Sequence, residues 1–286
     1  MTKCFTAALL LAGALGAAFA ESAPLAPTFP FAMPSYDAAP TAVDLSYLNK
    51  EAAGARGFVR IQDGRFVDGA GKRVRFLGTN FTFDNAFPPK EAAPKVAARL
   101  RKLGMNIVRF HHMDNRSAPG GIWLPDRSGL DPQQLDRLDW MIFQLKQHGI
   151  YTNINLHVSR VYAGLSKEAA ETFKYGKLLD NFHRPFIDQQ KEFARALLTH
   201  VNPYTGKSYC DEPAVAVVEI NNENTLLTSN WQTYRSMPEP FRGDLSAQWR
   251  GWLKRSYANT AALRKVWDAG SEPLGEEILR NGDFAG

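Results

Sequence analysis

From Phe58 onward, apolar and polar positions follow two different periods along the chain. Phe58-Val59-Arg60-Ile61, the Asp63-Gly64 turn, Arg65-Phe66-Val67 and a second turn from Asp68-Gly69 to Gly71 predict short antiparallel strands. One unit then repeats four times. Val74 to Asn80 reads as a strand, and Lys90 to Leu103 carries Ala93, Val96, Ala97, Leu100 and Leu103 at helical spacing before Gly104. Asn106 to His111 is the second strand. Asp131-Pro132 then opens a helix as N-cap and first turn, running through Leu135, Leu138, Met141, Ile142 and Leu145 to His148-Gly149. Ile150 to His157 is the third strand, followed by a long loop and a helix near Pro185–Val201. Ala214 to Asn221 is the fourth, with helices from about Asp244 to Tyr257 and over Thr260–Trp267 behind it.

Strands alternating with helices imply βαβ units and a parallel sheet. The fourth strand, a β-branched run behind Pro213, has the composition of a strand buried on both faces. The third alternates with period two, so Thr152, Ile154 and Leu156 are expected to face helices and Asn153, Asn155 and His157 the opposite side. Four such units make half of a (β/α)₈ barrel, which as a whole takes about 250 residues. The pattern admits an open four-unit sheet or the front half of something longer.

The 286-residue chain begins with a segment of another kind. Lys3 precedes an apolar run from Phe5 to Phe19, with Thr6 its lone polar residue, and Ala18-Phe19-Ala20 fits a cleavage site before Glu21. Residues 1–20 are therefore expected to be a secretory signal peptide, which makes the protein secreted or periplasmic and free of the membrane after cleavage. Residues 21–56, with Pro24, Pro27, Pro30, Pro34 and Pro40, read as a Pro/Ala-rich linker or arm. Losing Lys3 and no acidic residue lowers the net charge from +5 to +4, which is too weak and too scattered to imply nucleic acid. Cleavage also removes Cys4 and leaves Cys210 alone, so no internal disulfide supports the fold.

Each strand ends in polar groups. The first closes on Gly78-Thr79-Asn80, the second on Arg109-Phe110-His111-His112, the third on Asn155-Leu156-His157 and the fourth on Asn221-Asn222-Glu223. In a parallel barrel the carboxyl ends of the strands hold the chemistry, which makes Glu223 the first catalytic candidate. His111, His112, Asp114 and His157 include potential metal ligands, but adjacent histidines on a strand point to opposite faces, and no metal is expected. No Gly-rich phosphate loop, Gly-x-Ser-x-Gly elbow or His-Glu-x-x-His occurs, and no cofactor is expected. Trp123, Phe87, Tyr162 and Trp231 fall in strand-end loops, where flat rings could carry sugars or pack a lid.

These motifs carry a resemblance. Phe76-Leu77-Gly78-Thr79-Asn80-Phe81, Leu103-Gly104-Met105-Asn106-Ile107-Val108-Arg109-Phe110, Asn155-Leu156-His157 and Glu219-Ile220-Asn221-Asn222-Glu223-Asn224 resemble, in this order, the clan A retaining glycoside hydrolases, most of all the cellulase-type family 5. The resemblance implies a (β/α)₈ TIM-barrel fold, present here as its first four βα units over residues 57–275, apparently truncated, after a small N-terminal β-hairpin region. It implies a secreted enzyme hydrolysing the O-glycosidic bonds of a β-linked polysaccharide by a retaining mechanism. Glu223 takes the place of the general acid/base, and Asn222 resembles the residue that bonds the sugar 2-hydroxyl. Arg109 matches an arginine beside the nucleophile, and His157 a histidine lining the sugar subsite. His112, Asn80 and Trp123 complete the expected substrate contacts. Where the family usually has proline after Asn-Glu, this chain has Asn224.

Retaining hydrolysis needs a second carboxyl about 5–5.5 Å from the first. The family carries it on a seventh strand, and no acidic residue after Glu223 closes an apolar run. The nucleophile is therefore expected to be missing from this chain. Asn281-Gly282-Asp283-Phe284 resembles the opening of a family 4/9 carbohydrate-binding β-sandwich, placing such a module's start at residues 276–286. The alternative function is a catalytically incomplete carbohydrate-binding remnant or pseudoenzyme.

Overall fold

In the computed structural model, residues 34–227 and 231–271 are described, Trp231 through its backbone alone. The chain divides into two units, Met1–Ser35 and Tyr36–Gly286, and every element below belongs to the second. The expected signal peptide and the expected start of a binding module lie outside the described residues.

β1 (Arg60–Gln62) and β2 (Arg65–Val67) pair antiparallel across Asp63-Gly64. Both turn residues take positive φ (49° and 69°), the conformation that lets a two-residue turn follow the twist of its strands. Next come β3 (Gly78–Thr82), α1 (Ala93–Lys102), β4 (Ile107–His111), α2 (Pro132–Gln147), β5 (Tyr151–Asn155), α3 (Lys167–Thr172) and α4 (Arg184–Leu198). A hairpin of β6 (Val201–Asn202) and β7 (Lys207–Ser208) leads to β8 (Val215–Glu219), then α5 (Trp231–Arg235), α6 (Phe241–Ser256) and α7 (Thr260–Trp267).

The parallel sheet runs β3-β4-β5-β8, in the order of the chain. An open doubly wound sheet reverses its order at a switch point, whereas a barrel does not. The described sheet is thus an arc of four strands with barrel winding. The parallel strand starts later than expected: the Val74 amide donates to Phe66 O (2.9 Å) and extends the hairpin, while Leu77 O accepts from Asn106 N (2.9 Å) where the parallel pairing begins.

One face of the arc is packed. Val108, Phe110, Ile154 and Val215 meet Ala97 and Leu100 of α1, Leu138, Met141, Ile142 and Leu145 of α2, and Phe193 and Leu197 of α4. Burying each large side chain contributes about 1.5–3 kcal/mol. α2 starts where expected, with the Asp131 carboxylate accepting from the Gln133 and Gln134 amides (2.8 and 3.3 Å). The other face is polar and open, a cleft of about 420 Å³ lined by Gly78, Thr79, Asn80, Ile107, Arg109 and Asn153. A second apolar cluster joins Tyr162, Phe173, Leu178, Leu179 and Phe182 of the loops to Phe186 of α4 and Phe241 of α6.

The arm before β1 lies against the amino-terminal ends of the strands. Leu45 N donates to Lys102 O, Ala53 N to Lys146 O (both 2.9 Å), and the Asn49 carboxamide to Met105 O (2.7 Å). Gly149 (φ 75°) lets it approach closely, since a Cβ there would sit 2.7 Å from Glu51 O. Among the described residues no helix is long and apolar enough to cross a membrane.

Candidate active site

The site is built where β4, β5 and β8 end. Glu219, the last residue of β8, is its electrostatic anchor. Its carboxylate accepts from Arg109 Nε (3.0 and 2.9 Å) and Nη2 (2.6 Å), from Asn153 Nδ2 (2.9 Å) and from Asn155 Nδ2. Burial opposes its ionisation, but the Arg109 guanidinium and the two carboxamides outweigh burial and hold the carboxyl below its ordinary range. The period-two pattern therefore puts Asn153 and Asn155 on the expected face. Arg109, read as the neighbour of a nucleophile, bonds Glu219 and also donates from Nη2 to Asn222 Oδ1 (2.9 Å).

The chain turns sharply after β8. Glu223 takes a positive φ of 48°, a strained conformation for a residue with a long side chain. Its side chain is exposed, and among the described residues its carboxyl makes no hydrogen bond or ion pair. It lies within electrostatic reach of the His112 ring. Asn222 is fixed on three sides: its amide donates to His157 O (2.9 Å), its side chain accepts from Arg109, and its carbonyl accepts from Lys177 Nζ (2.8 Å).

His157 has no exposed surface. Nδ1 lies 3.2 Å from Asp114 Oδ2 and Nε2 lies 3.0 Å from Asp180 Oδ2. Burial disfavours its charge, yet the two carboxylates raise its pKa above the usual 6.5. This corrects the expectation of a subsite histidine, because both ring nitrogens face protein carboxylates and neither faces the cleft. Asp114, fully buried, also accepts from the amides of Val158 (2.9 Å), Ser159 (3.2 Å) and Arg160 (3.1 Å). Burial pushes its carboxyl up, and His157 with these donors pulls it below the ordinary value.

The other expected contacts divide. His112 (φ 60°) stacks on Phe83 with ring centroids 4.7 Å apart, and its Nδ1 is 2.8 Å from Ser159 Oγ. Burial lowers its pKa, and burial with the Arg109 charge brings His111 down to about 4, so both rings are neutral near pH 7. Asn80 is exposed on the open cleft beside Arg109, its register partner. Trp123 is half-buried: its Nε1 donates to Asp114 O (3.0 Å) and its ring tilts against Phe193 at 5.1 Å. Phe87 and Tyr162 are buried, which leaves no ring face for a sugar, and the Trp231 side chain lies outside the described residues. Asp180 and Lys177 were not legible beforehand, because they sit in a long loop without periodicity.

Fold and site together define an α/β protein of barrel winding, with its polar groups gathered at the strand ends. The chain belongs to the cellulase family, glycosyl hydrolase family 5, whose model matches residues 67–266. It is similar to mannan endo-1,4-beta-mannosidase 3 of Oryza sativa subsp. japonica, 28% identical over 180 residues, covering 58% of this chain and 37% of that protein. Among solved structures it is similar to the endo-1,4-beta-mannanase from Rhizomucor miehei, with 23% identity, TM-score 0.47, and coverage of 58% and 48% of the two chains. Another is the endo-beta-1,4-mannanase from Thermotoga petrophila, with 24% identity, TM-score 0.39, and coverage of 54% and 36%. The chain spans about half the length of these relatives, or less.

Proposed function

We propose that the chain carries the acid/base half of a retaining glycoside hydrolase acting on a β-linked polysaccharide. One observation carries the reading: Asn222-Glu223 lies in the turn directly after the fourth strand of a family 5 barrel arc, with the Glu223 carboxyl exposed and unengaged beside anchored neighbours. Glu223 protonates the leaving oxygen and then deprotonates water, and Asn222 meets the sugar 2-hydroxyl. Glu219 holds Arg109 and two asparagines, and so anchors rather than attacks. The attacking carboxyl belongs to sequence outside this chain. The similarity to mannan-cleaving proteins favours β-mannan as substrate. The apolar run from Phe5 to Phe19 with Ala18-Phe19-Ala20 behind it, read as a signal peptide, supports export from the cytoplasm.

The test is hydrolysis of dyed mannan, β-glucan and xylan by residues 21–286 and by a version extended downstream, each as wild type and Glu223→Gln. We expect mannan cleavage in the extended wild type, at least a hundredfold less in its Glu223→Gln variant, and none in the shorter chain. Undiminished cleavage by the Glu223→Gln variant would sink the acid assignment. Cleavage by residues 21–286 alone would place the nucleophile within them.

A further inference from the structure

The residues on either side of Glu223 are held by one stretch of the loop after β5. Lys177 Nζ donates to the Asn222 carbonyl at 2.8 Å. On the far side, Asn224 Oδ1 accepts from the Leu178 amide (2.7 Å) and from Asn181 Nδ2 (3.1 Å). Asn224 Nδ2 donates to Asp180 Oδ1 (2.7 Å) and Asn221 Oδ1 (3.3 Å). Asp180 is rooted in the interior: it is 2% exposed, and its Oδ2 accepts from Tyr162 Oη (2.9 Å) and faces His157.

Resting on the reading of Glu223 as the acid, we propose that the 174–182 segment is a clamp on the catalytic turn, with Lys177 and Asn224 as its positioning residues. Three observations converge. Both flanks of Glu223 are tied to the segment while its own carboxyl is untouched. Three residues without a glycine's freedom take positive φ across the junction, Glu223 at 48°, Tyr175 at 62° and Leu178 at 73°, and such strain persists only where the surroundings over-determine it. The segment is itself anchored, since Leu178, Leu179 and Phe182 belong to the second apolar cluster.

The clamp accounts for Asn224, which stands where the family usually has proline. A proline after the acid restricts the turn through its ring and offers no amide donor. Asparagine restricts the same turn from outside, with a carboxamide that accepts at one end and donates at the other. The restraint has moved from the covalent chain to a partner segment, so the acid's placement depends on a loop some forty-five residues earlier.

The experiment compares residues 21–286 as wild type with their Asn224→Ala, Lys177→Met and Lys177→Arg variants. Amide hydrogen exchange is read at Asn222, whose amide donates to His157 O, and over the strands. We expect exchange at Asn222 at least tenfold faster in Asn224→Ala and Lys177→Met, with strand amides unchanged, and restored to the wild-type rate in Lys177→Arg. Unchanged exchange in both variants would overturn the clamp, as would an arginine that behaves like methionine. Hydrolysis by the extended chain that survives Glu223→Gln would instead overturn the acid reading, whatever the exchange shows.

Discussion

Arg109 reaches from the second strand to the fourth and meets Glu219 through two nitrogens, with Asn222 on the same guanidinium. Its pH dependence has a definite sign. The Glu219 carboxyl in the folded protein lies below its ordinary value near 4.5, so the bridge stabilises the fold above that pH and is lost as pH falls through the folded value. Arg109→Met should therefore cost about 1–3 kcal/mol at pH 7, where a half-buried carboxylate is left without its cation. In urea unfolding, the gap to wild type should narrow markedly by pH 3; a gap independent of pH would refute the assignment. Strand-end polarity singled out Glu223, because polar groups at buried strand ends lack a packing role, and the family resemblance added Arg109 and Asn222. Their partners were not legible in the same way. Whether an arginine reaches a carboxylate on its own face or one from a later strand depends on register, and register appears only once the sheet is assembled. The same holds for His157, where nothing local announces that Asp114 and Asp180 will close on it from both sides.

At the scale of elements, the helices were the most legible parts. α2 shows why: Asp131 and Pro132 mark its start, and Leu138, Met141, Ile142 and Leu145 share the buried face. Replacing Asp131 with alanine leaves two amides of the first turn without their acceptor and should cost about 1 kcal/mol. Thermal unfolding would show this as a lower midpoint, with the sheet's spectroscopic signature unchanged below the transition. The first parallel strand was the least legible, since the sequence from Val74 reads as one strand, yet the Val74 amide bonds the hairpin and the parallel strand starts only at Gly78. Long loops resisted reading for another reason. The stretch from Val158 to His183 has no period, because its side chains answer to several elements at once: Tyr162 to Asp180, Lys177 to Asn222, Leu178 to Asn224.

For the molecule as a whole, the arc leaves apolar surface uncovered along its last strand. Val218 is 39% exposed and Ile220 71%, and Trp249, Trp252 and Trp267 are about half exposed. An edge strand with exposed apolar side chains, and helices α6 and α7 with exposed tryptophans, invite association between copies. We expect the 286-residue chain to self-associate in sedimentation at tens of micromolar, and Val218→Lys with Ile220→Lys to shift it towards monomer; a wild type monodisperse at that concentration would contradict this. The arm beneath the sheet has a different consequence, which concerns time. Asn49 meets Met105, Ala53 meets Lys146, and Gly54 packs against Pro213 and Ala214. What the ribosome makes early must therefore wait for partners 56 to 160 residues later in the chain, and such distant closures come late in folding. The arm settles only onto strands that already stand side by side, so its docking reports that the sheet has been correctly assembled.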